Sequence, residues 1–464
     1  MRCKVERQIL AWLLGLVTLL GVPHAAGAAQ DEFVLRTSPK EIHEIVRRHG
    51  LTLLRSLESQ GIFLVRTPAI APPEQFLIDV RSDREVLGIE LNIEAEVPEF
   101  PPELELDLST DFILDTLGKA TVVPFFGSPV LSSYVNQPAV VLIRNAEAHQ
   151  LFATGAGIVA VIDAGVDPHH PALKASLVPG FDFTRNLPGI PSEFPDLNQS
   201  TASILDQSTA SILDQSTAPI LDQKTIVIVN QSTASILNQS TASILDTRQL
   251  PLEFGHGTMV AGIIHLVAPT ALIMPLKAFR ADGTSNLFDI LRAIYYAVDH
   301  GARVINMSFS MEQRSAEMRR AINFAVSRRV ICVSSAGNNG ARLRVYPAAF
   351  GNVLGVGSTN NLDTRSTFSN FGQQVVTVAA PGEGIITPYP GGHYAAAWGT
   401  SFSAAFVSGG AALLLQVNIR TNQETAEDVL EENAKELPDE LGLGEGRIDL
   451  YRALLRAIRR HAED

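Results

Sequence analysis

The chain has 464 residues, a hydrophobic fraction of 46% and a formal net charge of −13, which is more than one average domain with ample apolar material for a large core. That acidity excludes a chain built to hold nucleic acid or an anionic membrane surface by charge. Two cysteines are present, Cys3 and Cys332; with Cys3 in the leader described next, the mature chain has no internal disulfide, and Cys332 in the apolar run VICVSS reads as a small core residue.

Arg2, Lys4 and Arg7 precede an apolar run from Ile9 to Val22 and then the small residues HAAGAA, the pattern of a secretory signal over residues 1–28. The run is short for a membrane span and no later segment is apolar for long enough, so cleavage leaves no stable span and a product that is secreted, periplasmic or at the cell surface. Residues 29–97 read as a small α+β domain. FVLRT suggests a strand, PKEIHEIVRRHG a helix, TLLRSL and IFLVRT two strands, PPEQFLIDVRSD a helix and VLGIELN a strand, in the order βαββαβ. That scaffold has many uses and says little by itself. Residues 98–130, rich in Pro, Glu, Asp and Leu without a sustained period, read as a linker containing a processing site.

The remainder, 131–464, reads as α/β. GIVAVID is a buried parallel strand ending at Asp163 before a glycine turn, the edge where α/β sheets put their sites. Acidic residues at strand ends are also common for turn reasons, so Asp163 alone carries little weight. Asp167, His169 and His170 in GVDPHHPAL read as surface loop rather than metal ligands, because the histidines are adjacent and no partner follows at ligand spacing. Six consecutive octets of the NQSTASIL type, from Asn198 to Leu245, interrupt the domain; each has too little apolar surface for a stacked core, and the insertion 198–245 reads as disordered. Asn198, Asn230 and Asn238 each open an N-Q-S sequon.

FGHGTMVAGII resumes the core with His256 between two glycines, ahead of an apolar helix; small neighbours let a substrate and a nucleophile approach the imidazole. The strands ALIMPLKAF, ARVINMSFS and VICVSSAG alternate with helices over 287–300 and 316–328, which calls for a mostly parallel sheet covered on both faces. SSAGNNG brings Asn338, whose side-chain NH₂ is a donor for a substrate oxygen that turns negative. In WGTSFSAAFVSGG, Ser401 starts a buried helix, where unsatisfied amides favour an anion. Alone, it is equally a helix cap. LGLGEGRIDLYRALLRAIRR closes the domain with a helix whose Leu450, Leu454 and Ile458 face inward.

Asp163, His256, Asn338 and Ser401 stand in that order, and Asp before His before Ser is the order of subtilisin among unrelated triad enzymes. With VIDAGVD, HGTMVAG, VAPTA, INMSFS, SSAGNNG and GTSFSAAFVSG in succession, residues from about 140 to 452 resemble the subtilisin-like serine proteases of the S8 type. HGLTLLRSLESQGIFLVRTP and VLGIELNIEAE resemble their inhibitory propeptides. The resemblance implies a subtilisin-like three-layer domain, with a mostly parallel sheet covered by helices, preceded by the small α+β prodomain. It implies a serine endopeptidase acting on proteins or peptides, with its own propeptide as intramolecular inhibitor until the linker is cut. Ser401 would be the nucleophile, His256 the base, Asp163 its partner, Asn338 with the Ser401 N–H the oxyanion site, and Ser308, Phe309, Ser310 and Gly337 the substrate-binding wall. No cofactor is required for this chemistry. HGTMVAGIIHLVAP is too short for the calcium loop of many relatives, so no calcium is expected there; calcium elsewhere stays open, with no site identifiable in the sequence. Phe309, Ser310 and Met311 stand where relatives carry a leucine and paired glycines, which reshapes that wall, and Phe402 with SAAF stands where Ser-Pro-His is common. A catalytically silent relative, binding through the fold or the octets, is the competing reading; all four catalytic positions being filled weighs against it.

Overall fold

The computed structural model describes residues 31–67, 73–97, 121–151, 153–197, 226–228 and 253–463. The signal, most of the linker, and the octets with their sequons lie outside them, apart from Ile226–Ile228, which pairs in parallel with the strand His393–Ala397.

An eight-stranded sheet runs in the spatial order Leu187–Gly189, Gly180–Asp182, Leu272–Lys277, Ile158–Asp163, Ala302–Met307, Ile331–Ser335, Leu354–Thr359 and Val378–Pro381. Each pairing is parallel except the one between the first two strands. Side chains alternate across a strand, so Ile158–Asp163 feeds two cores at once. Val159 and Val161 pack with the helices His256–Val267 and Thr400–Val417, while Ala160 and Ile162 pack with Leu287–Asp299 and Ala316–Ser327 on the other face. Burial on both faces is why these strands are apolar without alternation.

The helix Thr400–Val417 is long and apolar enough to cross a bilayer, contrary to the expectation that no segment after the signal is. Its side chains from Thr400 to Leu415 are buried within the domain, so its composition comes from its central position. It crosses His256–Val267 at Gly409, where a Cβ would lie 2.5 Å from the Val267 side chain; only glycine permits that approach.

The described N-terminal residues form an antiparallel sheet in the order Thr52–Leu57, Ile62–Arg66, Glu32–Arg36, Gly88–Leu91, with helices Ile42–His49 and Pro73–Arg81. Phe33, Leu35, Phe63 and Val65 face Ile42 and Ile45. The alternate residues Val34, Ile62 and Leu64 face outward and join the cluster of Leu287–Asp299 and Ala316–Ser327. Arg55 forks onto Asp289 at 2.7 and 3.0 Å, and Glu90 accepts from Ser315 Oγ and the Ala316 and Glu317 amides at 2.6 to 3.1 Å, adding a carboxylate to that helix start.

Other expectations need correction. Both borders of the linker are built into the fold: Glu94–Glu96, just before it, is a strand, and Val122–Phe125 with Ser128–Leu131, at its far end, is a hairpin whose Val130 is fully buried in the main core. The hairpin has Pro and a tight turn in place of clean alternation, which hid it. Ile458, in the second half of the last helix, is 38% exposed, whereas Leu450 and Leu454 in its first half are buried. Of the three residues Asp167, His169 and His170, only His169 is at the surface; Asp167 and His170 are buried.

His170 donates toward the His393 carbonyl at 2.9 Å beside the Tyr394 ring, and His265 meets Ser176 Oγ at 3.0 Å. Burial pushes both imidazoles down from 6.5 to about 4. Between those values the unfolded chain binds protons there that the folded chain refuses, so stability present above pH 6.5 is lost as the pH falls toward about 4. His265→Met should therefore flatten part of the acid fall in the thermal midpoint; an equally steep fall in the variant contradicts this.

Candidate active site

The helices Leu287–Asp299, Ala316–Ser327 and Gln423–Glu432 are capped by their own side chains: Asn286, Ser315 and Asn422 each accept from the amide three residues on. The two helices that carry His256 and Ser401 differ. They begin after Gly255, at φ 94°, and Gly399, at φ 151°, and neither glycine has a side chain to offer. These backbone angles favour glycine, and they leave the first amides of both helices to other partners.

Asp163 ends its strand in register with Lys277 and next to Met307, so its carboxylate emerges at the carboxyl edge of the sheet. His256 is the first residue of its helix, and its Nδ1 lies 2.9 and 3.0 Å from the two Asp163 oxygens. Both side chains are buried. Burial disfavours the charged ring, but the Asp163 carboxylate, by charge and hydrogen bond, outweighs it and holds His256 above its ordinary 6.5. The helix start is pressed against the Asp163 turn: a Cβ on Gly257 would lie 2.0 Å from the Gly165 carbonyl oxygen and 3.1 Å from Asp163 Oδ1.

Asn338 follows the strand Ile331–Ser335 on the same edge. Thr400 holds its amide from one side, donating from N at 3.0 Å and from Oγ1 at 2.9 Å to Asn338 Oδ1. That orients the NH₂ end away from Thr400, past Gly399, where a Cβ would lie 3.4 Å from Nδ2. Gly337, at φ 92°, donates its amide to Thr400 Oγ1 at 3.1 Å. The backbone N–H of Ser401 has no acceptor among the described residues. Its Oγ donates to the Ser308 carbonyl at 3.4 Å, and Ser308 Oγ donates back to the Ser401 carbonyl at 3.0 Å. No hydrogen bond joins Ser401 to His256 among the described residues; the next side chain, Phe402, stands with its ring centroid 5.7 Å from the imidazole.

Residues 155–447 match the profile of the subtilase family, peptidase S8. The chain belongs to that family. It is 37% identical over 173 residues to Subtilisin BL of Lederbergia lenta, covering 35% of this chain and 64% of the relative. It is 33% identical over 219 residues to Thermitase of Thermoactinomyces vulgaris, covering 43% and 75%, and 36% identical over 213 residues to a thermophilic serine proteinase of Bacillus sp. strain AK1, covering 43% and 52%. The chain thus spans 52% to 64% of the length of two of these curated relatives, Subtilisin BL and the AK1 proteinase. The same fold occurs in fervidolysin of Fervidobacterium pennivorans, a keratinolytic enzyme related to subtilisin, with a TM-score of 0.63 at 20% identity over 92% of this chain and 61% of that one.

Within the subtilase domain, Ser308 to Ser310 leave the carboxyl end of Ala302–Met307. Ser310 exchanges backbone bonds with Glu96, N to O at 3.0 Å and O to N at 3.3 Å, and Val97 donates to the Gly283 carbonyl at 3.1 Å. The Phe309 ring points away from solvent, fully buried 5.1 Å from Phe279, in the cluster that also buries Ala95 and Val97. Among the described residues, no three His, Cys, Asp or Glu side chains gather in a metal-holding group. The clamp by Thr400 was not legible from sequence: it sits beside Ser401, and nothing local says that both its donors reach Asn338. Gly257→Ala should cost about 1–3 kcal/mol through overpacking against Gly165, read as a lowered thermal midpoint; an unchanged midpoint contradicts the close approach.

Proposed function

We propose that this subtilase is an exported serine endopeptidase that hydrolyses proteins or peptides through Asp163, His256 and Ser401, and that it is made as an autoinhibited precursor. The observation that carries the reading is the buried Asp163–His256 hydrogen bond at 2.9 Å beside a helix start that bears a serine. The reaction needs Ser401 Oγ to turn from the Ser308 carbonyl, which it meets at 3.4 Å, toward the imidazole. Ser401 then attacks the scissile carbonyl as His256 Nε2 takes its proton, and His256 returns that proton to the leaving amine. Asp163 holds Nδ1–H and stabilises the imidazolium, while Asn338 Nδ2 and the Ser401 N–H receive the oxyanion. Water, deprotonated by His256, releases the acid. No step calls for a cofactor.

The segment Glu94–Val97 supports an inhibitory role for residues 29–97. It lies extended between Thr284–Asn286 and Ser310, paired through its backbone to both, in the way a bound peptide adds a strand to an exposed edge. Ser308, Phe309, Ser310 and Gly337 are then the backbone wall along which substrate lies.

A fluorophosphonate probe should label the mature protein and fail on Ser401→Ala; a folded, processed protein that never labels favours a silent binder instead. Asn338→Leu should lower kcat by about 10² to 10³, the size of loss known for an oxyanion-site amide in subtilisin itself; an unchanged kcat removes Asn338 from the oxyanion site.

A further inference from the structure

Glu193 is fully buried, 0% exposed, in the segment just before the octets. A carboxyl group so placed is costly unless it is engaged. Its Oε1 accepts from both donors of one residue, Thr258 N at 2.9 Å and Thr258 Oγ1 at 2.8 Å, and its Oε2 is buried with no hydrogen-bond partner among the described residues. Thr258 is the third residue of the helix that begins with His256, the position whose amide an N-cap side chain ordinarily satisfies. Gly255 holds the N-cap position and has no side chain to do so. Glu193 thus does from a distant loop what Asn286, Ser315 and Asn422 do for their own helices.

The same segment grips the Asp163 side. The Val166 amide donates to the Pro191 carbonyl at 3.0 Å, and a Cβ on Gly165 would lie 3.1 Å from the Glu193 amide nitrogen. Thr258 Oγ1 also accepts from the Asp167 amide at 2.8 Å. One side chain therefore sits where the turn after Asp163 and the start of the His256 helix meet.

We infer that Glu193 is a positioning residue for His256: its carboxyl caps the His256 helix from outside and locks that helix to the Asp163 turn, so that the imidazole is held at the carboxylate. The inference rests on reading His256 as the general base. Burial, offset in part by the Thr258 donors and by Lys277, pushes the Glu193 carboxyl up to about 8, so at neutral pH it caps mainly as the neutral acid through its carbonyl-type oxygen. An amide oxygen serves as well, which makes glutamine the conservative replacement.

The test uses the full chain, matured, with a peptide substrate. Glu193→Ala should lower kcat by about 10- to 100-fold, the cost of a slightly misplaced catalytic group, while KM stays within about twofold. Glu193→Gln should recover most of that loss, and Thr258→Val, which removes one donor, should fall between. A folded Glu193→Ala with unchanged kcat overturns the inference, as does a folded Glu193→Gln as impaired as the alanine variant. Should the alanine variant not fold, a wild-type kcat in Thr258→Val overturns it. A second readout is independent of turnover: in the Ser401→Ala background, the downfield Nδ1–H proton resonance of His256 should stay sharp when Glu193 is retained and in Glu193→Gln, and broaden in Glu193→Ala. A protein without any peptidase activity sinks the proposed function while this resonance still decides the role of Glu193; equal line widths in the glutamate and alanine chains refute it.

Discussion

A carboxylate and an imidazole buried side by side constrain everything around them. Neither Asp163 nor His256 has solvent to stabilise its charge, so each depends on the other, and removing one partner leaves an uncompensated buried group. Their 2.9 Å contact requires that a strand end and a helix start meet almost backbone to backbone. Gly257 over the Gly165 carbonyl is what allows it. The same constraint explains why both site-bearing helices begin after glycines. A Cβ at Gly255 would lie 2.4 Å from the Tyr389 ring, and one at Gly399 would lie 3.4 Å from Asn338 Nδ2.

The price of such open helix starts is that their orientation is set from elsewhere in the chain. Thr400 and Asn338 hold one start, Thr258 and Glu193 the other. These are contacts between residues 62 and 65 positions apart in sequence, and they tie the carboxyl end of Ile331–Ser335 and the pre-octet segment to the helices that carry Ser401 and His256. The N-terminal unit engages the starts of the capped helices through Arg55 and Glu90, and its last strand pairs with Thr284–Asn286 and Ser310.

Much of this was legible in the sequence because it is periodic or local. The unbroken apolar run of GIVAVID marks a strand covered on both faces, and the small residues around His256 and Ser401 ahead of apolar runs mark two helix starts. What escaped was long-range. Nothing near Glu193 reveals that its carboxyl lies under Thr258, and nothing near His170 reveals that Tyr394 and the His393 carbonyl bury it. The hairpin at 122–131 hid behind prolines. The family resemblance puts the Phe309 side chain on the pocket wall, yet its ring turns into the core on Phe279. Local pattern reports which face of an element is apolar; it is silent on which distant polar group that element meets.

The most direct measurement of the central claim is the protonation midpoint of the His256 ring, followed by NMR in the full chain carrying Ser401→Ala, with and without Asp163→Asn. Pairing with a buried carboxylate predicts a midpoint above the ordinary 6.5 when Asp163 is present and a clear drop when it is replaced. A midpoint at or below 6.5 in the chain that retains Asp163, or one that does not move on its replacement, would contradict the account.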